Sequence, residues 1–94
     1  MSMMSKDSLL IDASYVKTSS YRVKVVNVLE GTDVMIPTSI AKNCGILPNH
    51  ISKVLRELKD KGIVECLNED ARKGRLYRLT DYGVKVVNVL GEIF

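Results

Sequence analysis

Aromatic side chains are scarce in this sequence. It has no tryptophan, one phenylalanine and four tyrosines, 5% of residues in all. Proteins that hold single-stranded nucleic acid rely on aromatic platforms for the bases, and this chain is poorly supplied with them. Cysteine is equally sparse. Cys44 and Cys66 form neither a CxxC nor a CxC pair, and His50 is the only histidine. No familiar zinc-site spacing can be assembled from three such residues, so neither a metal nor a cofactor is expected. Two thiols without a disulfide framework point to a reducing, cytoplasmic setting, with both expected as buried, inert side chains. No apolar run approaches the ~18 residues of a membrane span. Leu9, Leu10 and Ile11 are too few for the apolar core of an export signal. No acid pair, nucleophile set or phosphate-cradling glycine loop accompanies the lone histidine, so no enzyme is expected.

What is present is an ordinary globular composition of 94 residues, 46% hydrophobic and 27% charged. That length supports one domain. The net charge is only +3, but Arg72, Lys73, Arg75 and Arg78 lie close together, a patch suited to a polyanion. Residues 1–13 are expected as a flexible N-terminal segment and 14–94 as the folded domain. Ser14 to Glu30 reads as a helix, with Ser19 or Ser20 able to cap its main body and Gly31 ending it. The heptapeptide at Val23–Leu29 recurs identically at Val84–Leu90. Both copies are expected as helices with a similar apolar face. Val34 to Ile36 predicts a very short strand. Pro37 opens a second helix, which runs to Cys44, and Pro48 a third, which runs to Lys61 with Ile51, Val54, Leu55 and Leu58 on one face. Ile63 to Leu67 and Arg75 to Leu79 predict a hairpin with a polar tip, and Thr80 caps a last helix. The fold class is mainly α with a small β-hairpin (α+β), in the order α-β-α-α-β-β-α.

The segment Ile40 to Val54 carries the most information. Two short crossing helices need a small residue at their contact, which Ala41 supplies. Their tight connection needs a positive φ, which Gly45 tolerates. Ile40, Cys44, Ile46, Ile51 and Val54 then fill the angle between them. This spacing resembles the helix-turn-helix of bacterial and archaeal regulators. With the hairpin and the segment Leu79 to Gly83, the chain resembles the winged helix-turn-helix regulators related to the ArsR and MarR families, especially their small archaeal members. The resemblance covers about Tyr21 to Leu90. Two features depart from it. Ile36 and Leu47 stand where such families place a Ser or Thr cap, at a cost of about 1 kcal/mol each. The thiol pairs and acidic or histidine clusters of the metal sensors are absent, so metal sensing is rejected.

The resemblance implies sequence-specific binding of double-stranded DNA and transcriptional regulation in the nucleoid-bearing cytoplasm. Recognition helix 48–61 would enter the major groove with Asn49, His50, Ser52, Lys53 and Arg56. The wing, residues 68–75, would meet backbone or minor groove through Arg72, Lys73, Gly74 and Arg75. A homodimer through the first and last helices is expected, because Val and Leu there, with Ile93 and Phe94, exceed what one small core needs. The alternative is a winged-helix module that contacts protein within a larger complex.

Overall fold

Two helices precede the first β-bridge of the chain. In the computed structural model, which describes residues 6–93, α1 spans Lys6–Lys17 and α2 spans Ser20–Glu30. Between them Ser19 is extended, with φ −129° and ψ 117°, and its hydroxyl accepts the backbone N–H of Arg22 at 3.3 Å. A serine so placed satisfies one of the orphan donors at a helix start and lets the chain change direction. The single helix expected over 14–30 is therefore two helices. Residues 6–13, expected in a flexible segment, are helical; residues 1–5 of that segment lie outside the described part. The sequence expectation missed what α1 packs on. Ala13 and Val16 are fully buried, and α1 lies against the last helix. The Tyr82 hydroxyl of that helix donates to the Asp12 carboxylate. Burial and the neighbouring carboxylate push the Tyr82 pKa up to about 12.

The remaining elements are α3 (Pro37–Cys44), α4 (Pro48–Asp60), β1 (Val64–Cys66), β2 (Tyr77–Leu79) and α5 (Asp81–Ile93). Both α3 and α4 begin with proline and without a side-chain cap, after Ile36 and Leu47 in extended conformation. At the end of α3, Gly45 is left-handed (φ 68°) and the Ile46 N–H donates to Ala41 O at 3.0 Å, a Schellman closure. Ala41 is buried to 4% exposure where the two helices meet. α4 ends one turn before the sheet, and the Ile63 N–H returns to Leu58 O at 2.9 Å.

The two copies of the repeated heptapeptide lie in α2 and α5 and bury the same three places. Val25, Val26 and Leu29 are buried in one, and Val86, Val87 and Leu90 in the other. Their Lys and Asn positions are exposed in both. Identical sequence thus buries the same three positions, although Val23 is half-buried and its counterpart Val84 exposed.

β1 and β2 pair antiparallel, with Val64 opposite Leu79 and Cys66 opposite Tyr77. Tyr77 also exchanges two backbone hydrogen bonds with Met35, at 3.0 and 2.9 Å, so the short strand expected near residue 35 reduces to one bridge. Leu29, Ile40, Ile51, Leu55, Leu58 and Ile63 make the fully buried centre, or nearly so, joining α2, α3, α4 and the start of the hairpin. Among the described residues no helix is long and apolar enough to cross a membrane.

Candidate nucleic-acid interface

The outer face of α4 follows directly from its inner one. Burying Ile51, Val54, Leu55 and Leu58 turns Asn49, Ser52, Lys53 and Arg56 to solvent, and all four are exposed. His50 is exposed at the flank, its ring edge-on to Tyr21 with centroids 5.6 Å apart. Ser52 Oγ donates weakly back to Pro48 O, at 3.4 Å. On the flank toward the first helices, Glu57 pairs with Arg22 at 3.2 Å. Arg22 also donates to Tyr15 O at 2.8 Å and stacks over the Tyr15 ring at 3.8 Å. One guanidinium therefore ties α1, α2 and α4 together and fixes how the exposed face of α4 is presented.

The wing is a loop rather than an extension of the strands. Asn68 organises it: its Oδ1 accepts the Leu76 N–H at 2.8 Å and its Nδ2 donates to Gly74 O at 3.2 Å. Asn68 Oδ1 thus takes an N–H that a ladder carbonyl would otherwise accept, at the tip end of strands that run over 64–66 and 77–79 instead of the 63–67 and 75–79 expected from sequence. Gly74 has φ 67°, a conformation L side chains rarely adopt. Arg75 Nε donates to Ala71 O at 2.8 Å, so part of its guanidinium is spent inside the loop. Arg72 and Lys73 are exposed.

An open groove separates α4 from the wing. Ser52, Arg56 and Lys59 line one side, and Arg72 and Arg75 the other, with Leu55 and Tyr77 also contributing. Lys53, Arg56, Arg72 and Lys73 take no part in the ion pairs found among the described residues. Lys59 does: it meets Glu69 of the wing at 2.7 Å, and that hydrogen bond raises its pKa. The pair joins α4 to the wing. Sequence reasoning omitted Lys59, although it sits one turn beyond Arg56 on the same stripe. Nothing in the sequence singled out Asn68. Arg78, counted in the sequence's basic patch, is engaged elsewhere. It pairs with Glu65 at 2.7 Å and borders a separate groove that also contains Glu30, Asp33 and Asp81.

Both cysteines are free and half-buried rather than buried. Burial pushes the Cys44 thiol up, against the opposing pull of Lys24. Among the described residues no group of His, Cys, Asp or Glu could hold a metal ion.

No protein-family model matches the sequence, and no curated protein sequence matches it significantly. Solved structures do resemble it. The transcriptional repressor CouR bound to a 23-mer DNA duplex superposes with a TM-score of 0.73 at 22% identity, over 92% of this chain and 61% of its own. A MarR-family transcriptional regulator from Silicibacter pomeroyi gives 0.72 at 21% identity, over 92% and 58%. A mutant MarR from E. coli complexed with operator DNA gives 0.73 at 22%, over 93% and 63%. This chain therefore spans about six tenths of the length of these neighbours. None of the three bears on the small archaeal regulators singled out from the sequence. The chain has the winged helix-turn-helix fold found in the MarR-family regulators.

Proposed function

We propose that this protein binds double-stranded DNA sequence-specifically and regulates transcription, within the cytoplasm and on the nucleoid. The recognition helix, expected over 48–61 and observed as α4 (Pro48–Asp60), would lie in the major groove, with Asn49, Lys53 and Arg56 toward base edges, His50 at the side and Ser52 toward phosphate. The wing 68–75 would follow the adjacent backbone or minor groove through Arg72, Lys73 and Arg75, with Gly74 permitting the turn. The protein acts as a homodimer formed by the first and last helices.

The observation that carries this reading is the groove between α4 and the wing, flanked by Arg56 on one side and Arg72 on the other. Two elements distant in sequence bring unpaired guanidinium groups to one surface. A protein-docking module would instead offer a contiguous apolar patch there. Two of the three neighbours described above were solved on DNA, which agrees with the reading.

The test selects bound duplexes from a random DNA pool and then titrates salt on selected and random duplexes. Arg56→Ala should relax sequence preference, at a cost of about 1–3 kcal/mol for a lost bidentate contact. Arg72→Ala with Lys73→Ala should weaken all duplexes alike and flatten the salt slope by about one per lost phosphate contact. Reversed effects would exchange the roles of helix and wing. If no duplex is enriched, the surface does not bind DNA and the protein-interaction module takes its place.

A further inference from the structure

Leu47 is the wrong residue for stability in two respects. It occupies the N-cap of α4, where Ser, Thr, Asp or Asn would satisfy a helix N–H, and it makes no side-chain cap. It is also 64% exposed, as high as any large apolar side chain among the described residues. Ile36, the equally uncapped residue before α3, differs in being half-buried. Leu47 has no such burial. A residue that breaks local rules with no compensating contact is the kind expected at a functional surface.

The backbone beneath Leu47 is well fixed. Its carbonyl accepts the N–H groups of His50 at 3.0 Å and Ile51 at 3.1 Å. Pro48 confines it to an extended conformation, with φ −66° and ψ 146°. The exposed isobutyl group thus stands on a rigid base, at the end of the helix whose first residues would meet base edges. Asn49 and Lys53, on the outward face of the same helix, are polar and exposed. In the major groove the only apolar group that a base pair offers is the C5-methyl of thymine.

We propose that Leu47 is a specificity-determining residue that reads a thymine C5-methyl group in the major groove. This rests on the DNA-binding function proposed above, and the test separates the two. A duplex selected by the wild-type protein from a random pool is resynthesised with deoxyuridine replacing its thymines one at a time. This removes the methyl group and leaves every hydrogen bond in place. At one thymine of each half-site, loss of the methyl should weaken wild-type binding about fourfold, the value of one buried methyl. Leu47→Ala should bind the thymine and uracil forms equally at that position, and Leu47→Ser should do the same, with a higher Tm from its new cap. The idea is overturned if a selected duplex loses no affinity at any uracil, or if the sensitive thymine stays as sensitive in Leu47→Ala. Either result leaves DNA binding intact. If both variants melt at a lower temperature than wild type, Leu47 serves the fold and the proposal also fails. Failure to enrich any duplex removes both the function and this reading of Leu47.

Discussion

A missing methyl group decides how α5 meets the hairpin. A Cβ built on Gly83 would stand 2.0 Å from the Ile63 carbonyl oxygen, a backbone atom. That oxygen is already held, since it accepts the Thr80 N–H at 3.0 Å. The Thr80 hydroxyl in turn donates to Gly62 O at 2.6 Å and accepts the Gly83 N–H at 2.8 Å. Neither partner can withdraw cheaply. Gly83→Ala should therefore destabilise the protein by about 1–3 kcal/mol, as overpacking does. The expected fall in Tm is ~4–8 °C for each kcal/mol in a domain of this size. Gly91 in the same helix has nothing within 4 Å of its would-be Cβ beyond its chain neighbours and its own helix backbone. Gly91→Ala should melt at or above the wild-type temperature, because alanine favours helix. Equal melting temperatures for the two variants would show that the approach at Gly83 is not so close. Thr80 as cap was legible in the sequence, being a Thr followed by an Asp before an apolar run. The close approach was not, because it depends on where a distant carbonyl comes to rest.

At the scale of elements, the wing shows how one side chain can replace a strand ladder. Asn68 bonds both Leu76 N–H and Gly74 O, and its own carbonyl receives the Ala71 N–H at 3.0 Å. The loop between β1 and β2 is thus braced from its first residues. Asn68→Ala removes these two bonds, each worth about 0.5–1.5 kcal/mol net, and with them a weak third one in which the Cys66 thiol donates to Oδ1 at 3.7 Å. Because the loop is exposed and the core lies elsewhere, we expect local loosening more than global unfolding. Hydrogen exchange at the Leu76 amide should accelerate strongly while core amides such as Ile51 keep their protection. Unchanged exchange at Leu76 would mean that the strand register alone holds the wing. α4 behaves differently. Its face was legible because period 3.6 alone separates Ile51, Val54, Leu55 and Leu58 from Asn49, Ser52, Lys53 and Arg56. Lys59 belongs to the same stripe. Only the structure shows that it pairs with Glu69 of the wing.

At the scale of the molecule, the packing of α1 on α5 leaves apolar side chains outside the core. Leu10, Ile11 and Ile93 are 42%, 64% and 54% exposed. Burial of such residues against a second copy is the physical basis for the proposed homodimer. A two-fold axis there would set two recognition helices about 34 Å apart, one turn of DNA. Light scattering at micromolar concentration should give twice the mass of the chain. Ile11→Lys should shift it to monomer without lowering the melting of core amides. A wild-type monomer, both free and on DNA, would dispose of the dimer.

The sequence by itself determined the elements whose cause is local. Proline at the starts of α3 and α4, glycine in their connection, and the apolar periods of α4 and of the repeated heptapeptide all act within a few residues of themselves. Ala41 at the helix crossing followed from the same spacing. Tertiary structure alone decided what depends on partners far along the chain. Nothing near residues 6–13 announces a helix, because α1 is held by burial of Ala13 and Val16 and by Asp12 receiving the Tyr82 hydroxyl of α5. Arg78 looked like part of the basic patch until Glu65 on the neighbouring strand claimed it. The meeting of Arg56 with Arg72 across one groove is likewise a product of chain folding. Short-range patterns are written in residue order, whereas a surface is assembled from segments whose separation the sequence does not state.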